Sequence, residues 1–255
     1  MIDIHSHILP HLDDGASHTE ESVAMAKEAV SQGIHTIIAT PHHLNGRYEN
    51  YKTDIISQVK SLNERLLEEN IPLTVLPGQE TRINGQMTND LEQGHLLPLN
   101  ETSGYLFVEL PSNSVPRYTS KLLFDLQVQG YKPIIVHPER NKELIEDPDQ
   151  LYEFVKNGTL TQVTAASVTG KFGKKIQKFT HRLIEANLTH FIASDAHNTT
   201  TRGFCMQEAY QNIEENYGNS FVYFFRENSQ YLIDAGTVVG DVPERIAKKK
   251  FLGLF

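Results

Sequence analysis

Short apolar runs recur along the chain, each followed by a longer stretch whose apolar residues return every three or four positions. The runs cover residues 2–5, 36–40, 73–76, 105–110, 133–136, 160–165 and 188–193. Their length and apolar character predict strands. Ile55, Val59, Leu62 and Leu66 fall at i, i+4, i+7 and i+11, one face of a helix. Val23, Ala26 and Val30 keep a helical spacing behind a predicted capping box at Ser17 and Glu20. Ile176, Phe179 and Leu183 do the same. Gly33, Gly130 and Asn187 fall near predicted helix ends, where left-handed caps are common. Strand–helix alternation predicts a parallel sheet with crossover helices. Seven runs either close into a barrel or stay open as a doubly wound sheet. No glycine-rich phosphate loop follows the first run, which counts against the dinucleotide-binding version.

A chain of 255 residues suits one α/β domain spanning 1–255, and no repeat, low-complexity tract or long linker divides it. Residues 82–100, rich in Gly, Asn and Leu, are expected to form an excursion near the mouth of the sheet. The formal net charge of -9 disfavours a nucleic-acid partner. Cys205 is the single cysteine, so no intramolecular disulfide forms, which fits a reducing compartment. No apolar stretch reaches the ~18 residues of a membrane span, and the start of the chain lacks the features of a signal peptide. A cytoplasmic protein without a membrane span is expected. Residues 248–255, basic and then apolar, are expected to be an ordinary terminal segment.

The polar residues add chemistry to this frame, because nearly every strand-like run ends in a metal-ligand type. The first ends in His5 and His7, an i, i+2 pair that a strand projects to one side. The others end in Thr40-Pro41-His42-His43, Pro77-Gly78-Gln79-Glu80, Val108-Glu109-Leu110, His137-Pro138-Glu139-Arg140 and Ser194-Asp195-Ala196-His197. Asp13 and Asp14 follow the first run closely. A lone histidine or carboxylate after a strand is ordinarily a hydrogen-bonded loop residue. Glu109 is harder to explain that way, since an unpaired carboxylate among Leu106, Phe107, Val108 and Leu110 is costly. In a parallel barrel all strand C-termini meet at one face, where active sites are built. Six such endings in phase with the strands therefore point to one shared site.

The set is imidazole nitrogen and carboxylate oxygen without thiolate, which suits Mn²⁺, Fe²⁺ or Zn²⁺. The ligands are too many for one ion and suit two or three, with Glu80 bridging. Asp14, Glu80, Glu109 and Asp195 supply four negative charges against six from three divalent ions. The excess fits a hydroxide or a phosphate group, as in multi-metal phosphatases. Arg140 and Arg202 stand beside the candidate ligands, and guanidinium groups bind phosphate oxygens bidentately. Arg47, just beyond His42 and His43, is a weaker third candidate. The cysteine-phosphatase signature is absent, because Gln211 stands where its arginine belongs, six residues after Cys205. Cys205 reads instead as a small core residue. No Gly-x-Ser-x-Gly elbow occurs either, so water activated by metal is the expected nucleophile.

The series Asp-Ile-His-Ser-His, Thr-Pro-His-His, Gly-Gln-Glu, Val-Glu-Leu-Pro, His-Pro-Glu-Arg and Ser-Asp-Ala-His resembles the polymerase and histidinol phosphatase (PHP) superfamily. Together with the opening segment at residues 8–15, it is most similar to the bacterial tyrosine-protein phosphatases paired with capsule and exopolysaccharide tyrosine kinases. The resemblance runs from residue 2 to about residue 202, with no departure at a ligand position. It implies a distorted (β/α)7 TIM-like barrel with a trinuclear manganese centre. His5, His7, Glu80 and Asp195 would hold one ion, Glu80, Glu109 and His137 a second, and Asp14, His42 and His197 a third. Arg140 and Arg202 would grip the phosphate. The implied substrates are phosphotyrosines on a cognate tyrosine kinase and on sugar-nucleotide enzymes such as UDP-glucose dehydrogenase. A phenolic leaving group, with a pKa near ~10, makes a general acid optional; His43 and His11 are the nearest choices. Two other readings use the same residues: a small-molecule phosphatase acting on histidinol phosphate, and a non-catalytic metal-binding regulatory domain.

Overall fold

The computed structural model describes residues 1–246, so the 248–255 segment lies outside the described residues. The strands are β1 (Ile2–Ser6), β2 (Thr36–Ala39), β3 (His42–His43), β4 (Thr74–Pro77), β5 (Glu80–Arg82), β6 (Tyr105–Glu109), β7 (Lys132–Val136), β8 (Leu160–Thr164) and β9 (Phe191–Ala193). The helices are α1 (Thr19–Ser31), α2 (Lys52–Glu68), α3 (Met87–Glu92), α4 (Thr119–Val128), α5 (Lys142–Glu146), α6 (Asp149–Lys156), α7 (Ala165–Val168), α8 (Lys174–Glu185), α9 (Met206–Tyr217) and α10 (Asn219–Ile233). A 3₁₀ turn occupies Pro138–Arg140. All seven predicted strand runs are present.

Every strand pair is parallel, in two sheets ordered β1-β2-β4 and β3-β5-β6-β7-β8-β9. The break falls where Pro41 follows β2 and where Gly78 and Gln79 follow β4. Pro41 has no N–H for a ladder bond, and after it the chain resumes as β3, which pairs with β5. Gly78 has no side chain because there is no room for one. A Cβ there would stand 2.6 Å from Ile38 Cγ2 and 2.9 Å from Leu99 Cδ2. On the opposite side an isolated bridge joins Ser6 to Ala196, beyond β9. The His7 amide donates to Ala196 O (2.8 Å) and the Asp195 amide donates to His5 O (2.9 Å). The strand pairing thus gives two parallel sheets rather than one uninterrupted ring.

Alternation along the strands sorts the core into two layers. Ile2, Ile4, Ile38, Tyr105, Phe107, Ile134, Val136, Phe191 and Ala193 pack together between the sheets. Their neighbours, including Ile37, Leu106, Val108, Ile135, Val163 and Ile192, join the helices in the outer layer. Leu232 of α10 closes one end of the inner cluster. The Tyr105 hydroxyl donates to Gly236 O (2.8 Å) and accepts from the Val238 amide (2.9 Å) at that same end. The opposite end is left for the strand C-termini.

Ile55, Val59, Leu62 and Leu66 are all buried on α2, as their spacing requires. Gly33, Gly130 and Asn187 take the left-handed conformation. Three expectations are corrected. The capping box is shifted by one residue: Ser17 donates its amide and hydroxyl to Glu21, and the His18 imidazole accepts from the Glu21 amide. Glu20 is not the partner, because the helix begins at Thr19. Residues 82–100 are the crossover from β5 to β6 rather than a mouth excursion. They carry α3 and then bury Leu96, Leu97 and Leu99 on the way back to the start of β6. Cys205 is only half-buried; it caps α9 in a left-handed conformation with Lys171 Nζ 2.9 Å from its sulfur.

Gly78→Ala forces a methyl into Ile38 and Leu99, and overpacking of this kind costs about 1–3 kcal/mol. Thermal unfolding should show a melting temperature lower by roughly 2–10 °C. An unchanged melting temperature would mean that the β4–β5 junction is not tightly packed.

Candidate metal centre

The ligands of the site leave the strands by distinct local devices. β1 carries a register shift between Asp3 and Ser6, and such bulges re-aim side chains. His5 thereby turns inward, its ring 4.9 Å from that of Phe107 in the inner cluster. Asp3, beneath it, accepts from the Ser194 amide (2.9 Å) and hydroxyl (2.5 Å), tying β1 to the segment that carries Asp195. Asp195 and His137 both adopt positive φ, which swings each side chain out of the strand alternation. Glu139 anchors the turn after His137: one of its oxygens accepts from the Thr164 amide (2.9 Å) and the Ser167 hydroxyl (2.7 Å).

Four ligand atoms cluster at the mouth. His5 Nε2 and His7 Nε2 are 3.3 Å apart. Glu80 Oε2 lies 3.5 Å and 3.4 Å from them, and Asp195 Oδ1 lies 3.5 Å and 3.2 Å. Ligands at about 2.1 Å from a shared first-row ion stand roughly 3.0–3.4 Å apart at octahedral to tetrahedral angles. The spacing is that of a coordination shell. The other ring nitrogens are committed elsewhere. His5 Nδ1 meets Gln162 Oε1 (2.9 Å), His7 Nδ1 meets Asp13 Oδ2 (2.6 Å), and His197 Nδ1 meets the Asp195 carbonyl (2.9 Å). Each contact places the proton on Nδ1 and leaves Nε2 with a lone pair for an ion.

Among the described residues three groups have ligand atoms within 4.8 Å of one another: His5-His7-Glu80, His42-Glu80-Glu109 and His7-Asp14-His42-His197. His137 meets the other Glu80 oxygen, Nε2 to Oε1 at 2.8 Å. All nine sequence-predicted ligands are therefore brought together, although the grouping puts His42, rather than His137, with Glu80 and Glu109. Glu80 Oε2, Glu109 Oε2, His42 Nδ1 and His197 Nε2 are buried without a hydrogen-bond partner. Glu80 Oε2 and His42 Nδ1 approach to 2.8 Å without hydrogen-bond geometry. Orphaned polar atoms facing one another are costly unless a cation lies among them. The residues present thus fit a divalent-ion centre.

The electrostatics agree. Burial alone would raise the pKa of Glu80, yet His42, His5 and His137 hold it well below the carboxylate range. Burial and the neighbouring Glu80 push Glu109 up to about 8. Burial acts to lower His7, but Asp13 and the carboxylates of Asp195 and Glu80 raise it well above its ordinary value.

Arg140 and Arg202 converge on Asp195 Oδ2, at 2.6 Å and 3.2 Å. They line a cavity of about 290 Å³ together with His42, Glu109, His137 and Asp195. Arg47 is not brought to the cluster; its guanidinium lies 5.0 Å from the ring centre of Tyr48. Tyr48 runs nearly parallel to the His42 ring (9°, centroids 6.3 Å apart). His43, on the opposite face of β3 from His42, packs its ring edge-on to Tyr51, and burial lowers its pKa to about 4. It is in no position to act as a general acid. Sequence reasoning passed over Gln162, Arg82 and Glu139. Arg82 donates to Glu109 Oε1 (2.9 Å) and to the Leu110 carbonyl (2.9 Å). Nothing local in the sequence marks Arg82 or Gln162 for the partner it meets.

With this geometry in view, comparison with known proteins is informative. The model of a capsular polysaccharide synthesis family, CpsB/CapC, matches residues 1–234. The chain belongs to the CpsB/CapC family. Among its relatives is the tyrosine-protein phosphatase YwqE of Bacillus subtilis, 48% identical over 255 residues and covering 100% of both chains. The putative tyrosine-protein phosphatase CapC of Staphylococcus aureus is 38% identical over 249 residues, 98% of this chain and 94% of its own. The crystal structure of YwqE, described as a unique metal-dependent tyrosine phosphatase, superimposes with a TM-score of 0.95 over 97% of this chain and 100% of that one. A β-aspartyl dipeptidase from Fervidobacterium islandicum, at 14% identity and a TM-score of 0.53, shares the fold alone, over 94% of this chain and 76% of its own. This CpsB/CapC member is thus an α/β protein of TIM-barrel-like class. Among its described residues no helix is long and apolar enough to cross a membrane.

The charges of the centre predict a pH effect. Glu109, His7 and His42 all have raised pKa values in the fold. Their contribution to stability is complete below the unfolded values, 4.5 for Glu and 6.5 for His, and is lost as pH rises through the folded ones. Between about pH 7 and 8 the three act together, opposed by the amino terminus, which burial lowers from 8.0, and by the last of the titration of His35, His43, His137, His190 and His197, all lowered from 6.5 by burial. Thermal scans of chelator-treated protein should show the melting temperature falling across this window, and divalent metal should remove the fall. A flat or rising metal-free profile would contradict the electrostatic account.

Proposed function

We propose that the chain is a metal-dependent phosphotyrosine-protein phosphatase built on a distorted (β/α)7 barrel spanning 1–255. In that barrel β2 with β3, and β4 with β5, each count as one interrupted strand. The observation that carries the reading is the shell of His5, His7, Glu80 and Asp195 at 3.2–3.5 Å spacing, opening beside two arginines. The relatives named as tyrosine-protein phosphatases support it.

We assign His5, His7, Glu80 and Asp195 to one ion, Glu80, Glu109 and His137 to a second, and Asp14, His42 and His197 to a third. We take Mn²⁺ as the ion because the family resemblance implies it; oxygen and imidazole donors without thiolate accept Fe²⁺ or Zn²⁺ equally well. When bound, such ions lower the pKa of water and neutralise phosphoryl oxygens.

The chain's own residues supply the rest. Asp13 and Gln162 hold His7 and His5 in one tautomer and orientation. Arg82 keeps Glu109 Oε1 occupied, so that Oε2 faces the cluster. A phosphoryl group entering the cavity takes Arg140 and Arg202 as fixed donors, in place of part of their pairing with Asp195. Those donors stabilise the charge that spreads over the equatorial oxygens as the ester bond breaks. The tyrosyl oxygen departs as a phenolate needing little protonation, since its pKa is near ~10. Arg47 lies against Tyr48, whose ring runs parallel to that of His42, and we assign Arg47 to the substrate outside the phosphate. The substrates of this reading are phosphotyrosines on a bacterial tyrosine kinase and on sugar-nucleotide enzymes such as UDP-glucose dehydrogenase, in the cytoplasm.

Phosphate release should be compared between a phosphotyrosyl peptide and histidinol phosphate, with Mn²⁺ and with chelator. The peptide should be the better substrate, and chelator should abolish turnover. Asp195→Asn and His42→Ala should each lower kcat by roughly 10²-fold or more with the circular dichroism spectrum retained. Arg140→Lys should lower kcat/KM by roughly 10–100-fold. Higher activity on histidinol phosphate would move the assignment to small-molecule phosphatases. No release from either substrate with any divalent metal would favour a regulatory metal-binding domain.

A further inference from the structure

Residues 154–184 contain six basic side chains and no Asp or Glu, within a chain whose net charge is -9. Four of the six, Lys171, Lys174, Lys175 and Lys178, fall within eight residues and are all exposed. This segment lies beside the cavity. Helix α8 packs against the 3₁₀ turn that carries Arg140. Phe172, between the first two lysines, receives the Arg140 guanidinium 5.4 Å from its ring centre.

The lysines have little to do for the fold. Lys171 is paired with Glu208 of α9 (3.1 Å), but Lys174, Lys175 and Lys178 form no ion pair among the described residues. Lys174 and Lys175 open α8, and no acid stands in its first turn. Cations at that end oppose the helix dipole, so their placement works against the helix itself. Of the acidic groups seen against the patch, Glu208 forms an ion pair with Lys171 and Glu28 acts on the same lysine at longer range. The rest of the patch is left with uncompensated positive charge next to a phosphate-binding arginine.

We infer that this patch selects phosphotyrosines flanked by acidic residues, with Lys174, Lys175 and Lys178 contacting Asp or Glu side chains of the substrate outside the phosphate pocket. The inference rests on the phosphatase reading and names its substrate class. Exposed charge contacts are individually weak, screened by salt, and expressed in encounter and binding rather than in chemistry.

The test compares two phosphotyrosyl peptides, one with Asp and Glu at the flanking positions and one with Ser and Gln. They are assayed on the manganese-loaded full chain and on the K174Q/K175Q/K178Q variant. In the unmodified chain the acidic peptide should show a KM lower by about tenfold at low salt, with kcat unchanged and the preference fading as salt rises. In the triple variant the preference should collapse toward one, while p-nitrophenyl phosphate is turned over as before. Equal KM for the two peptides, or a preference surviving in the variant, would overturn the inference while leaving the phosphatase assignment intact. So would loss of binding to phosphatidylserine vesicles in the variant with the peptide preference unchanged, since the patch would then serve a membrane. No release from any of the three substrates would overturn the phosphatase assignment and this inference with it.

Discussion

The structure depends on the concentration of charge around one buried carboxylate. Glu80 has no exposure, and four imidazoles stand around it, from His5, His7, His42 and His137. Asp195 and Glu109 share the same small space. Two like charges about 4 Å apart repel by about 4 kcal/mol even at an effective dielectric of 20. Such an assembly is tolerable only with compensating cations. Arg140, Arg202 and Arg82 supply part of that compensation at the rim, through Asp195 and Glu109. Divalent ions held by the proposed ligands would supply the remainder at the centre. The same imbalance that makes the metal-free site costly makes it selective for multiply charged ligands.

The fold's task is to hold these groups where solvent would otherwise let them separate. Parallel strands bring all their C-termini to one end, and α10 with the 236–239 segment closes the other. Small departures from regularity then aim the side chains. The β1 register shift turns His5 inward, Pro41 separates β2 from β3, and left-handed backbone at His137 and Asp195 redirects both residues. A further ring of polar groups fixes the rotamers: Asp13, Gln162, Asp3 with Ser194, and Glu139. Each of these partners is remote in sequence from at least one residue it holds, so the centre forms only once the sheets are assembled.

That dependence explains what could be read from the chain alone. Strands and helices were legible, because alternation and helical spacing are local properties. The nine candidate ligands were legible as a group, because all but Asp14 lie at or just beyond the end of a strand and parallel topology sends those ends to one place. The split into two sheets was not legible, since it follows from packing around Gly78 and from the partner that β3 finds. Gln162 and Arg82 were invisible as site residues for a similar reason. A glutamine within a strand and an arginine at a strand end carry no local mark of the histidine or glutamate they will meet. His43 shows the converse error: adjacency to His42 suggested chemistry, whereas alternation on β3 sends it to the other face.

The account stands on the claim that the Glu80 cluster is a multi-ion centre. Anomalous diffraction from crystals grown with Mn²⁺, collected on either side of the manganese edge, tests this directly. The account predicts more than one anomalous peak within coordinating distance of the cluster, with Glu80 contributing an oxygen to two of them. Crystals in which manganese occupies only exposed carboxylates, with His5, Glu80 and Asp195 still clustered and no peak among them, would contradict it.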